Sequence, residues 1–186
     1  WFYDLETESG TFHCGIGKSH VHNSPRRSED FLTRKVTAWI GRNYKGILAG
    51  TVKEPLRLGC LDAKRDWAYA PDMVEGMWMM LQQDKADDYV LGTGEAHSVK
   101  EFCEEAFKCL GIKINWMYGM HLLDGVIFHN NSLVPCDVIH IDDKLYRPAE
   151  VNYLEADYTK AREVLGWAPK VSFKELVNIM VQADIK

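Results

Sequence analysis

Between Asp72 and Gln83 the residues Val74, Met77, Trp78 and Leu81 fall at i, i+3, i+4 and i+7, which predicts an amphipathic helix with those four on its buried face. Phe31, Leu32, Val36, Trp39 and Ile40 recur at similar spacing, so a helix is expected from Glu29 to between Asn43 and Gly46. Two further helices announce their own starts. Ser98 with Glu101, and Ser172 with Glu175, have the spacing of capping boxes. The first is followed by an apolar stripe of Phe102, Ala106, Cys109 and Leu110 and a stop at Gly111; the second by Leu176, Ile179, Met180 and Ala183. Tyr158 to Leu165 reads as a short helix stopped by Gly166, with Pro169 beyond. Short strands are expected over Asp87–Gly94 and Lys113–Met117, and an extended stretch over Pro55–Cys60. Residues 118–141 read as irregular, with a turn around His129–Ser132, and Thr7–Ser24 as loop with a short strand. Helices alternating with short strands point to an α/β protein.

Composition narrows the class. With 186 residues, 46% hydrophobic and 26% charged, the chain has material for a real core, and wholesale disorder is excluded. A formal net charge of -5 argues against general nucleic-acid binding, which needs a concentrated basic face. Cys14, Cys60, Cys103, Cys109 and Cys136 are odd in number and contain no C-x-x-C pair, so reduced thiols and a cytoplasmic location are expected. No apolar run suits a membrane span, and no signal peptide is visible. The opening Trp1-Phe2-Tyr3, without an initiator Met, reads as the interior of a longer protein.

Three clusters carry candidate chemistry. Arg26 and Arg27, just ahead of a helix, suit a phosphate held by bidentate hydrogen bonds and the helix dipole, or else form a solvated basic turn. In Leu61-Asp62-Ala63-Lys64-Arg65-Asp66-Trp67-Ala68-Tyr69, the flanking aspartates suggest a surface ion-pair cluster, with Trp67 and Tyr69 anchoring it to a core. In Tyr146-Arg147-Pro148-Ala149-Glu150-Val151, an Arg for a diphosphate and a Glu for ribose hydroxyls suit a nucleotide; a local ion pair fits equally.

Other signals are set aside. Gly15-Ile16-Gly17-Lys18-Ser19 resembles the end of a phosphate loop, but Phe12 stands where its first glycine belongs. Cys14, His20 and His22 lack a fourth ligand at sensible spacing, so no metal is expected. Met77-Trp78-Met79-Met80 reads as helix core. The sequence holds no G-x-G-x-x-G or G-x-x-G-x-x-G fingerprint, and no Tyr is followed four residues later by Lys.

Taken together, the clusters are specific. Ser24-Pro25-Arg26-Arg27 through Phe31-Leu32-Thr33-Arg34-Lys35, Leu61 to Trp67, Thr93-Gly94-Glu95-Ala96-His97-Ser98-Val99, Tyr146 to Val151, and Leu165-Gly166-Trp167-Ala168-Pro169-Lys170 resemble the GDP-mannose 4,6-dehydratases in order and spacing. The resemblance runs from about residue 22 to the end and is weaker over 116–140. Two positions depart from it: Asn23 stands where the family usually has Glu, and Asp30 where it usually has Asn.

The resemblance implies the C-terminal part of a Rossmann-type extended short-chain dehydrogenase with a small α/β substrate domain, the N-terminal Rossmann half missing. Residues 1–26 would then be a Rossmann remnant, 27–57 a substrate-domain segment, 58–96 a return to the Rossmann domain, and 97–186 the substrate-binding domain. It also implies an NADP-dependent lyase that oxidises the mannose C4 hydroxyl of GDP-mannose, loses water across C5 and C6, and returns the hydride to C6. By matched position, His22 and Arg27 correspond to NADP contacts, and Leu32, Lys35, Arg65, Arg147 and Glu150 to GDP-mannose contacts. The catalytic residues are expected upstream of Trp1, so the chain alone is expected not to turn over. A homo-oligomer is expected of the full-length protein. The competing reading is a non-catalytic GDP-sugar-binding or subunit-pairing module. A related nucleotide-sugar epimerase is disfavoured by the L-D-A-K-R-D-W run.

Overall fold

The computed structural model describes residues 23–118, 124–128, 135–146 and 151–186. Its first helix, α1 (Leu32–Ala49), opens without a side-chain cap, the chain entering through a turn in which Phe31 N donates to the Ser28 carbonyl at 3.2 Å. The helix runs past the expected stop. Asn43 is accommodated because its side-chain amide donates back to the Trp39 carbonyl at 3.0 Å, and the helix ends at Gly50, whose φ of 66° only glycine adopts freely.

Strands β1 (Leu56–Leu58), β2 (Lys64–Asp66) and β3 (Ala96–Ser98) are short, as are β4 (Asn115–Met117) and β7 (Tyr153–Leu154); β5 (Asp124–Phe128) and β6 (Pro135–Ile141) are longer. One sheet is four-stranded in the order β1-β6-β5-β4, with β1 parallel to β6 and the other pairs antiparallel. The second is three-stranded, β3-β2-β7, with β2 antiparallel to β3 and parallel to β7. The β5–β6 pair replaces the irregular stretch expected over 118–141. Pro135 at the strand start and Asp124 and Asp137 within the strands break the apolar alternation, so period alone conceals the pair. The expected turn at His129–Ser132 lies outside the described residues.

Helices α2 (Ala70–Leu81), α3 (Val99–Lys108) and α4 (Phe173–Asp184) complete the fold. Both capping boxes form as expected. Ser98 Oγ accepts from Glu101 N at 3.1 Å, and Ser172 Oγ from Glu175 N at 3.4 Å. A single π-helical turn, Ala161–Leu165, ends at Gly166.

Val36, Ile40 and Ile47 of α1, Phe102 and Phe107 of α3, Leu176, Val177 and Met180 of α4, and Val138 and Ile139 of β6 are fully buried in one core. Each such side chain contributes roughly 1.5–3 kcal/mol by leaving water. In α4 the buried face is thus Phe173, Leu176, Val177, Met180 and Val181, turned from the expected one, with Ala183 exposed. A second cluster joins Met73 and Met77 of α2 to Ala161, Leu165 and Trp167.

That second cluster reverses the expected orientation of α2. Val74, Trp78 and Leu81 face solvent, Trp78 at 61% exposure, and of the expected face only Met77 is buried. Asp72 explains the turn: its Oδ2 accepts the backbone N–H groups of Lys170 and Val171 at 2.9 and 3.0 Å, and its carbonyl accepts from Trp167 Nε1 at 2.9 Å. These bonds fix which side of α2 meets the C-terminal segment. The stretch Asp87–Gly94, expected as a strand, pairs with no strand among the described residues. Its place is held instead by Lys160, which meets Asp87 Oδ1 at 2.6 Å and lies over the Tyr89 ring.

Candidate functional site

A cleft of about 1220 Å³ opens where the N-terminus of α1, strand β2, the 59–60 loop, the 144–146 turn and the 154–156 segment converge. Arg27, Leu32, Lys35 and Arg65 all line it. The structure therefore brings together those four sequence-predicted residues, which lie far apart in the chain. His22, Arg147 and Glu150 lie outside the described residues, as do Cys14 and His20.

Arg27 is buried, with its guanidinium carbon 3.7 Å from the centre of the Phe31 ring. Burial pulls its pKa down to about 10. A cation held in so little water gains more from an anion than an exposed one does. Lys35, in the first turn of α1, reaches across so that Nζ donates to the Arg57 carbonyl at 2.8 Å, tying the cleft rim to β1. Arg57 in turn pairs with Asp142 at 3.3 Å. Arg65 sits at the centre of β2, its backbone in register with His97 on one side and Leu154 on the other, and its Nη1 donates to the Lys64 carbonyl at 2.7 Å.

Trp67 and Tyr69 anchor this segment as expected. Trp67 packs edge-on to Phe102 at 5.2 Å and stacks on Phe173 at 6.0 Å. Tyr69 forms a parallel bridge to Asn23, whose side chain accepts from the buried Thr33 hydroxyl at 2.9 Å. Asn23 thus joins the cleft wall as a neutral hydrogen-bonding group, both donor and acceptor.

Three further lining residues, Lys144, Tyr146 and Asp66, carry no site role in the sequence reading. Lys144 is placed by a short turn, Asp143–Leu145, that Asp142 caps through its Lys144 N–H contact at 3.0 Å. Tyr146 meets the Cys60 thiol, and that contact, ahead of other causes, raises the phenol above its ordinary range. Asp66, expected in a surface ion-pair cluster, instead accepts backbone N–H groups from two segments distant in sequence. Its signal was hidden because the partners lie far away in sequence. Chemically, the cleft offers Arg27, Lys35, Arg65 and Lys144 to an anion, with Leu32 and Leu154 supplying apolar surface. That combination suits a phosphate-bearing ligand with an apolar portion. Among the described residues no group of three His, Cys, Asp or Glu side chains could hold a metal ion, and no helix is long and apolar enough to cross a membrane.

Known proteins agree on the family. The family described as GDP-mannose 4,6 dehydratase matches residues 3–180. GDP-mannose 4,6 dehydratase 2 of Arabidopsis thaliana is 44% identical over 177 residues, a match covering 95% of this chain and 40% of that protein. The Homo sapiens GDP-mannose 4,6 dehydratase is 44% identical over 170 residues, covering 89% of this chain and 42% of that protein. The chain thus spans about two-fifths of the length of these curated relatives. In fold it is similar to RMD from Pseudomonas aeruginosa complexed with NADPH, with a TM-score of 0.66 at 17% identity over 88% of this chain and 46% of that one. It is also similar to dTDP-glucose 4,6-dehydratase from Bacillus anthracis in complex with NAD, with a TM-score of 0.58 at 16% identity over 87% and 41% of the two chains. These likenesses give the fold alone, shared with part of each of those longer chains. Since the sequence match runs through every segment that builds the cleft, the chain belongs to the GDP-mannose 4,6-dehydratase family.

Proposed function

We propose that this chain supplies the GDP-mannose-binding part of an NADP-dependent GDP-mannose 4,6-dehydratase, a hydro-lyase that forms GDP-4-keto-6-deoxymannose. The observation that carries the reading is the convergence of Leu32, Lys35 and Arg65 on one cleft. In this reading Arg65 and Arg147 hold the diphosphate, Glu150 accepts the ribose hydroxyls, and Leu32 with Lys35 borders the nucleotide. Arg27 and His22 face NADP; the buried guanidinium of Arg27 fits a cofactor phosphate. Bound there, the nicotinamide would take and return the sugar hydride. No Tyr in the 186 residues is followed four residues later by Lys, so the proposal assigns these residues to binding and not to proton transfer.

The domain division belongs to the same proposal. Residues 27–57 and 97–186 form the substrate domain, and 1–26 and 58–96 associate with the Rossmann domain. The hydrophobic clusters follow this division only in part: Met73 and Met77 of α2 pack away from the main core, but against Ala161, Leu165 and Trp167 of the 97–186 segment, and Leu58, Leu61 and Trp67 lie in the main core itself. A reducing, cytoplasmic setting belongs to the same proposal and rests on an odd number of scattered cysteines with no C-x-x-C pair. A homo-oligomer completes the proposal.

Calorimetric titration of the purified chain with GDP-mannose tests the reading. Arg65→Ala and Arg147→Ala are each expected to weaken binding by more than about tenfold, or about 1.4 kcal/mol. Unchanged affinity in both variants would refute the site, and measurable turnover by the chain alone would refute its assignment to binding.

A further inference from the structure

Asp66 ends β2, one residue past Arg65, and its carboxylate gathers polar hydrogens from two distant segments. Oδ1 accepts from Thr93 Oγ1 at 2.7 Å and from Thr93 N at 3.0 Å. Oδ2 accepts from Thr93 N at 2.9 Å, Gly94 N at 3.0 Å and Ala156 N at 3.2 Å. The segments meet closely: a Cβ on Gly92 would stand 2.2 Å from Ala156 Cβ and 2.9 Å from Asp66 Oδ2. Asp66, Gly92 and Ala156 all line the cleft.

The 153–156 segment is joined to β2 by a short ladder, with Lys64 N donating to the Asn152 carbonyl at 2.8 Å just before it. Strand β7 is two residues long, with Lys64 in register with Tyr153 and Arg65 with Leu154. So short a ladder is weak by itself. The Asp66–Ala156 bond is the next attachment along the chain, and it ties the segment to the same strand that carries Arg65. A carboxylate suits this position because both oxygens accept only; the asparagine amide would set a donor against backbone N–H groups.

We infer that Asp66 is a positioning residue for the candidate site. It clamps the chain just beyond Leu154 to the end of β2 and to the 93–94 backbone, and so holds Glu155 and Ala156 in place in the cleft lining beside Arg65, where a nucleotide sugar would enter. The ligand part of this inference rests on the function proposed above; the positioning part does not.

Amide hydrogen exchange and GDP-mannose titration of the 186-residue chain, wild type beside Asp66→Asn, separate the two. Exchange at 92–94 and 153–156 should accelerate by roughly tenfold or more, with α1 and α4 unchanged. Affinity for GDP-mannose should fall roughly tenfold. Asp72→Asn is the matched control, since Asp72 also accepts two backbone N–H groups but does not line the cleft. It should leave affinity within about twofold. Unaltered exchange in Asp66→Asn overturns the inference, as does unaltered affinity where the wild type binds, or equal weakening by Asp72→Asn. A wild type that fails to bind GDP-mannose removes the functional reading, and the exchange pattern alone then decides the positioning role. Should Asp66→Asn not fold, Thr93→Val removes one donor to the carboxylate and carries the same test.

Discussion

Glu101 joins two structural tasks in one side chain. Its Oε2 accepts the Ser98 backbone N–H at 2.6 Å, closing the cap of α3, and stands 3.7 Å from His97 Nδ1. The bond to Ser98 is the main reason its carboxyl titrates below the ordinary range. A depressed carboxyl binds fewer protons folded than unfolded, so its contribution is present above the ordinary glutamate range, about 4.3, and is lost as pH falls through the lower folded value. Thermal melts between about pH 6 and about pH 3 should therefore show a wild-type advantage over Glu101→Gln that shrinks on acidification. A constant difference would show that the charge does not matter. Local signals of this kind were legible in the sequence, because cap and carboxylate lie three residues apart. Asp66 was not legible, because its partners are Thr93, Gly94 and Ala156.

At the scale of elements, α1 and α4 cross where α1 has no side chain. A Cβ on Gly41 would fall 2.3 Å from the Asp184 carbonyl oxygen and 2.9 Å from its carbon, both backbone atoms. On the same helix a Cβ on Gly46 would meet nothing closer than 3.5 Å. Helix propensity favours alanine at either position by roughly 1 kcal/mol. Gly46→Ala should accordingly stabilise by about 0.5–1 kcal/mol. Gly41→Ala should instead destabilise by about 1–3 kcal/mol, because the crossing must open and the Arg34–Asp184 pair with it. Denaturant unfolding of both variants checks the contrast; a stabilised Gly41→Ala would mean the helices can slide apart freely. Helix positions were readable from period and caps. The face of α2 was not, since period marks a stripe without saying which neighbour covers it, and Asp72 with Gly76 forms the buried side instead.

Across the whole molecule, the reversal of α2 leaves Val74, Trp78 and Leu81 as an apolar stripe at the surface. Apolar patches of this kind favour self-association. Trp78→Ser should reduce association in sedimentation runs while moving stability by no more than about 0.5 kcal/mol, as for other exposed positions. A large loss of stability would show that Trp78 packs against the protein. The cleft itself was legible only as a set of motifs; which of them would share one wall depends on strand pairings that no local pattern encodes.

Those pairings also set an order of events. Strand β1 joins β6, and β2 joins β7, in parallel pairs whose partners lie in opposite halves of the sequence. Contacts that close such long loops form late, after local helices and hairpins. A chain emerging from the ribosome therefore carries the residues of α1 and β2 long before the 153–154 strand exists to pair beside Arg65. The ligand cleft is among the last features to be completed, and until then Arg65 lacks its Leu154 neighbour and Asp66 has only the 93–94 backbone to hold.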